Sequence, residues 1–213
     1  LVLASDGQKM SKRLKNYPDL MEMIEKYGAD SLRYFLLSSP AVRAEDLRFN
    51  ERGIEEVSKK LLMRLDNVRS FYELYAPQTE KPPHVRENSL ARGPVLPADG
   101  RTEDFFAGRE AADHVLDKWI LSRLAELVRD TTAGYEHYEL DAATRPLTGF
   151  IDDLSTWYLR RSRERFSARG RSASGGKEDK EQATATLHHV LLTVAKVMAP
   201  VMPFFADDLY KRV

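Results

Sequence analysis

Phe150-Ile151-Asp152-Asp153-Leu154-Ser155-Thr156-Trp157-Tyr158-Leu159-Arg160-Arg161-Ser162-Arg163 is the stretch that decides the fold class. Together with Leu147, its apolar residues Phe150, Ile151, Leu154, Trp157 and Tyr158 return every three or four positions, the period of an α-helix with one buried face. Trp157 and Tyr158 continue the Leu154 face, so both read as core aromatics rather than as platforms for stacked bases. The residues that follow are cationic. From Ser155 to Arg171 there are six arginines, at 160, 161, 163, 165, 169 and 171, against Glu164 alone. Such a run is either a solvated face laced with ion pairs or a phosphate-contact surface, and the charge imbalance is what raises the second reading.

The same period recurs on both sides. Downstream, Leu187, Val190, Leu191, Val194 and Met198 form one stripe, and Phe204, Phe205, Leu209 and Tyr210 another after the Pro200 and Pro203 break. Upstream, Trp119, Ile120, Leu124, Leu127 and Val128 mark a helix. In the first third, Pro18-Asp19 opens a helix carrying Leu20, Met23, Ile24 and Tyr27, and Gly28 ends it. Asp30 is expected to cap a short helix with Leu32, Phe35 and Leu36 on one side, stopped by Ser38-Ser39-Pro40. Asn50-Glu51 begins a longer one, with Ile54, Val57, Leu61, Leu65, Val68, Phe71 or Tyr72, and Leu74 along its stripe until Pro77. The chain is therefore expected to be mainly α, with an antiparallel helix bundle in its second half. Between Pro77 and about His114, Pro, Gly and charged residues without a sustained period predict a linker or variable insertion. Ser167 to Lys180 cannot bury apolar surface and is expected to be a mobile loop. Leu1-Val2-Leu3-Ala4 reads as the end of a strand, which needs a sheet to pair with and so suggests a piece of something larger.

Composition narrows the function classes. Lys plus Arg equals Asp plus Glu at 33 each, so contact with RNA has to come from a local basic face and not from the global field. The absence of cysteine excludes disulfides and thiolate metal sites and suits a reducing cytosol, whence a cytoplasmic location is expected. The five histidines lack zinc-site spacing, so no metal site is expected. No apolar run reaches membrane-spanning length, and a membrane partner is not expected.

One loop carries chemistry. Asp6-Gly7-Gln8-Lys9-Met10-Ser11-Lys12-Arg13-Leu14-Lys15-Asn16-Tyr17-Pro18-Asp19 places two lysines around a serine on a loop that begins at a glycine and runs into a helix. An ammonium on a flexible stem can follow a moving phosphate and neutralise charge developing on a leaving pyrophosphate. A lysine cluster by itself is more often solvated surface.

The extended string resembles the Lys-Met-Ser-Lys-Ser signature loop of the class I aminoacyl-tRNA synthetases, with Arg13 where the family usually has its last Ser. Leu14 to Pro18, Tyr27-Gly28-Ala29-Asp30-Ser31-Leu32-Arg33 and Val42 to Phe49 look like the isoleucyl branch, whereas valyl and leucyl relatives usually show Leu-Gly-Asn after the motif. Leu116 to Leu124, Phe150 to Arg163 and Ala199-Pro200-Val201-Met202-Pro203-Phe204 resemble the anticodon-binding helical domain of the same enzymes. The resemblance implies the end of the catalytic domain with the signature loop over 1–16, stem-contact helices over 17–76, a linker or insertion over 77–113, and an anticodon-binding bundle of the class I type, truncated, over 114–213.

It also implies roles. Lys9 and Lys12 would be catalytic, stabilising the departing pyrophosphate; Met10 and Ser11 would join them in seating ATP, with Gly7 letting the loop change shape. Arg33, Arg43 and Arg48 would lie where the family meets the inner side of the tRNA, salt bridges to Asp30, Glu45 or Asp46 being the alternative. Arg160, Arg161, Arg163 and Arg165 would face tRNA backbone. The parent would be an isoleucine-tRNA ligase using ATP and Mg2+, with tRNA(Ile) and the N-terminal catalytic and editing domains of the same polypeptide as partners. The segment lacks a His-Ile-Gly-His-like motif, so it is expected to bind no cofactor alone and not to aminoacylate. Alternatives are a valyl or leucyl relative and a non-catalytic helical RNA-binding module.

Overall fold

A computed structural model describes residues 2–4, 7–11, 13–14, 16–76, 114–167 and 176–213. The expected linker at 77–113 and most of the expected Gly/Ser loop lie outside these residues. The described residues are mainly helical: strands β1 (Val2–Leu3) and β2 (Leu47–Arg48), and helices α1 (Leu20–Tyr27), α2 (Ala29–Leu37), α3 (Glu51–Val57), α4 (Met63–Tyr75), α5 (Val115–Glu136), α6 (Leu140–Asp152), α7 (Arg160–Phe166), α8 (Lys177–Met198) and α9 (Pro203–Arg212). Wider π-helical turns, Ser58–Leu62 and Asp153–Leu159, join α3 to α4 and α6 to α7 without breaking either rod.

Local chemistry explains most boundaries. The Asp19 carboxylate accepts the Met21 N–H at the start of α1, and the Asn50 side chain accepts the Gly53 N–H at the start of α3. Asp30 does not cap α2 as the sequence suggests. Gly28 holds that position with φ of +82°, closing α1 and opening α2, and the Asp30 carboxylate reaches across the molecule to accept the Phe205 N–H of α9 at 2.6 Å. The expected loop also ends early. Lys177–Lys180 form the first turn of α8, where Glu178 and Asp179 sit favourably at a helix N-terminus.

Helices α4 to α9 build the main core around Leu65, Ile120, Leu147, Phe150, Leu187 and Leu191, and α2 contributes Tyr34 to it. The Tyr34 hydroxyl donates to the Thr144 carbonyl at 3.0 Å, fastening α2 to α6. The helix over 51–75 thus shares one core with the bundle on the far side of 77–113. Gly134 lets α5 and α6 touch: a Cβ there would stand 2.5 Å from the Ala143 nitrogen. A smaller cluster, Met23, Leu32, Phe49 and Ile54, supports the first third. Beside it β1 finds its partner in β2, parallel, with Val2 opposite Leu47 and Leu3 opposite Arg48. No helix among the described residues is long and apolar enough to cross a membrane.

Candidate functional site

The signature loop leaves β1 through a tight turn. The Ala4 N–H donates to the Gln8 carbonyl at 2.8 Å, the Gly7 N–H to the Ala4 carbonyl at 2.9 Å, and Leu3 bridges Lys9 in antiparallel fashion. Gly7 has φ of +82°, a conformation that side chains disfavour, and a Cβ there would meet the Arg48 guanidinium at 3.5 Å. Asn16 then closes the loop: its Oδ1 accepts the Ser11 N–H at 2.8 Å and its Nδ2 donates to the Lys9 carbonyl at 3.2 Å. Met10 anchors it by packing on the smaller cluster. Backbone and Met10 are therefore held while the Lys9 side chain projects into solvent. Lys12 lies outside the described residues. An open cavity of about 460 Å³ adjoins the loop, lined by Ala4, Asn16, Tyr17, Met23 and Phe49 among others.

The three arginines expected near the tRNA separate. Arg48, on β2, is exposed beside the loop glycine. Arg33 donates from Nε to the Val201 carbonyl at 2.9 Å and from Nη2 to the Pro200 carbonyl at 3.3 Å, so it holds the turn between α8 and α9. With Asp30 gripping the start of α9, one turn of α2 satisfies both strands of that turn. Burial holds the Asp30 carboxyl above its ordinary range, against the Phe205 N–H and the Arg33 charge, which favour the ionised form. Arg43 donates to the fully buried Asp141 at 3.0 Å, and Arg145 pairs with the same carboxylate at 3.0 Å. Burial works to raise the Asp141 carboxyl, but the Arg43 hydrogen bond and the two arginine charges overcome it and leave it below the usual range.

The arginine run also splits, by helical phase. Arg160, Arg161 and Arg163 are exposed, and none has a carboxylate partner among the described residues. Arg165 is a correction. Its side chain is only 9% exposed and is bidentate to Asp117 at 2.8 Å on both arms, with Asp179 at 2.6 Å. The Tyr158 hydroxyl donates to the same Asp117 at 2.8 Å, and burial together with the Asp117 charge pushes this phenol up. Arg165 therefore ties α5, α7 and α8 together inside the fold and is not available to a phosphate.

Trp157 is the second correction. The π turn widens the helix, and the buried residues become Leu154, Tyr158, Leu159 and Ser162, so Trp157 swings outward to 46% exposure. The Ser155 and Thr156 hydroxyls both donate to the Asp152 carbonyl, at 3.3 and 2.8 Å, which supports the local rearrangement. The Arg161 guanidinium carbon lies 3.7 Å from the Trp157 ring centroid, and Trp119 lies 6.4 Å away from the same ring. No local sequence signal marked this departure from regular period, nor the parts played by Asn16 and Asp117.

Residues 1–48 match the family described as tRNA synthetases class I (I, L, M and V), and residues 117–213 match the anticodon-binding domain of tRNA ligase. The chain belongs to the class I tRNA synthetases. Over its whole length it is 41% identical to the isoleucine-tRNA ligase of Chlamydia trachomatis serovar D, 42% identical to that of Chlamydia muridarum and 38% identical to that of Chlamydia abortus, spanning 18% of each relative. Among solved structures it is similar in fold to a LeuRS-tRNA-LeuAMS ternary complex from Agrobacterium radiobacter K84, with TM-score 0.62, 17% identity, and coverage of 100% of this chain and 22% of that one. It is likewise similar to Mycobacterium tuberculosis methionyl-tRNA synthetase with methionyl-adenylate, with TM-score 0.63, 20% identity, and coverage of 98% and 36%.

Proposed function

We propose that this chain is the part of an isoleucine-tRNA ligase that carries the ATP-handling loop and a tRNA-binding surface, working with catalytic and editing domains of the same polypeptide to charge tRNA(Ile). The observation that carries the reading is that loop and bundle, each similar to its own part of one family, share a fold through which the likeness to isoleucine-tRNA ligases runs unbroken. In this reading, residues 1–16 end the catalytic domain, 17–76 meet the tRNA stem, 77–113 connect, and 114–213 bind the anticodon region.

Attack of the isoleucine carboxylate on the ATP α-phosphate, with Mg2+, forms the adenylate and releases pyrophosphate. Lys9 and Lys12 meet the charge that develops on that leaving group, while Met10 and Ser11 position the nucleotide. The Asn16 bonds on either side of Met10 support this, because they fix the backbone and leave the Lys9 ammonium free to follow the phosphates. Among the described residues no group of three His, Asp or Glu is placed to hold a metal. Arg48, Arg160, Arg161 and Arg163 supply exposed cations for tRNA; Arg33 and Arg43 contribute mainly by placing the helices that carry them.

The test is amino-acid-dependent pyrophosphate exchange by the complete protein, with isoleucine, valine and leucine compared. Exchange strongest with isoleucine and abolished by Lys12→Ala is the expected result. Preference for valine or leucine would reassign the substrate, and absence of exchange with all three would leave an RNA-binding module.

A further inference from the structure

We infer that Arg48 is a positioning residue of the adenylation step: its guanidinium braces the glycine at which the signature loop leaves β1, and so sets the stance from which Lys9 meets the phosphates. The inference rests on the ATP-handling role proposed above and goes beyond it, because Arg48 acts through the loop hinge, a role separate from the cation it offers to tRNA. Leu3 stands between two cations. On one side it is the parallel partner of Arg48, and on the other it bridges Lys9 in antiparallel fashion. Residues directly opposite in neighbouring strands carry their side chains on one face, so Arg48, Leu3 and Lys9 share a face, with the outer two backbones about 10 Å apart.

The Arg48 side chain lies against the turn that follows β1. A Cβ on Gly7 would stand 3.5 Å from its Nε, 3.6 Å from Cζ and 3.6 Å from Nη2, nearly equal distances to three atoms of one plane, so the flat of the guanidinium faces the glycine. Gly7 has φ of +82°, and a glycine in that region lets a loop swing at little steric cost. Arg48 itself is firmly delivered. Its carbonyl accepts a hydrogen bond from Asn50 Nδ2 at 3.3 Å, while Asn50 Oδ1 accepts the Gly53 N–H at 2.7 Å and so starts α3. The Phe49 N–H donates to the Leu3 carbonyl at 2.8 Å, and Phe49 and Ile54, on either side of Asn50, are buried in the smaller cluster. The brace therefore hangs from α3 and not from the loop, which ties the rest position of the hinge to a helix packed on a core. A planar guanidinium can cover a peptide face as a compact ammonium cannot, so the residue type suits the contact.

The experiment measures isoleucine-dependent pyrophosphate exchange, and tRNA affinity across a salt series, in the complete protein for wild type, Arg48→Ala, Arg48→Lys, Gly7→Ala and the double variant of Gly7→Ala with Arg48→Ala. The brace predicts that Arg48→Ala lowers exchange turnover by about tenfold with the isoleucine KM in place, since a loop released at its hinge spends less time in the reactive geometry. Arg48→Lys keeps the charge and loses the plane, so it falls nearly as far, and it carries the test if Arg48→Ala does not fold. Gly7→Ala slows exchange on its own through strain at positive φ, and adding Arg48→Ala to it costs less than the same change costs wild type, because both act on one hinge. Wild-type turnover in Arg48→Ala or Arg48→Lys overturns the inference, as does a double variant whose losses simply multiply. If Arg48→Ala instead weakens tRNA binding and lowers the salt slope by about one with exchange untouched, Arg48 serves tRNA alone: the brace fails and the ATP-handling reading stands. Absence of exchange in wild type would remove both.

Discussion

The loop region and the helix bundle are held by different forces. Among the described residues the bundle's core joins twenty-five buried side chains and is crossed by the Asp117, Arg165, Asp179 and Tyr158 network. The first third rests on four, Met23, Leu32, Phe49 and Ile54, with a two-residue parallel sheet and the hydrogen bonds of Asn16. The bundle is thus a platform whose geometry is over-determined by burial. The described part of the loop is positioned at few points, by the hydrogen bonds of Asn16 and by Met10 on the smaller cluster, which suits the closing on a nucleotide that the proposed function asks of it. Substitutions in the two regions should therefore separate, with bundle changes appearing as stability and loop changes as rate.

The largest effect is expected from Asp117→Ala. It strands the Arg165 guanidinium and the Tyr158 hydroxyl, and removing one partner of a buried pair costs about 3–5 kcal/mol. For a domain of this size that is a fall in melting temperature of about 10 °C. A melt within a degree or two of wild type would show that the network is dispensable. Next, Lys9→Ala should lower the turnover of pyrophosphate exchange by about 100-fold while leaving the melting temperature and the isoleucine KM in place, since the cation acts on charge that exists only in the transition state. A raised KM with normal turnover would make Lys9 a ground-state contact and blur the contrast between the regions.

Asn16→Ala sharpens the comparison from the loop side. It removes the acceptor of the Ser11 N–H and the donor to the Lys9 carbonyl, for about 1 kcal/mol of local order. Faster amide exchange confined to residues near 9–16, with the bundle's protection unchanged, is the outcome that hydrogen-exchange measurements should record. The smallest effect concerns acid. Asp141 is held below the ordinary carboxyl range by Arg43 and Arg145, so its contribution is present above the unfolded value near 3.8 and is lost as pH falls through the lower folded value. Asp141→Asn should flatten the acid limb of the stability curve below about pH 4. Identical acid limbs in the two proteins would mean that the ion pairs do not couple to folding.

Helical phase was legible wherever a stripe met a core of its own. Leu147, Phe150, Ile151 and Leu154 are buried as their period predicts, and Asp19 and Asn50 cap the helices that they precede. Edges of stripes were less so. Leu20, Leu74 and Phe204 keep the period yet are exposed, because the helices bearing them are covered over a narrower arc than the sequence pattern allows. Charged residues were least legible. Arg160, Arg161, Arg163 and Arg165 look equivalent in sequence, but one of the four turns inward to two carboxylates, 48 and 14 positions away.

By itself the sequence determined the helical class, the loop with its lysines and the family that both belong to, because period, capping and motif are local properties written within a few residues. Tertiary structure alone decided the partners of polar groups and the facing of Trp157. Arg33 finds carbonyls at 200 and 201, Asp30 finds the Phe205 N–H, β1 finds β2 across more than forty residues, and a π turn rotates one indole out of the core. The physical reason is that a buried polar group must be satisfied by whatever the packed helices bring within about 3 Å, and that neighbour is fixed by how the apolar stripes dock, not by distance along the chain.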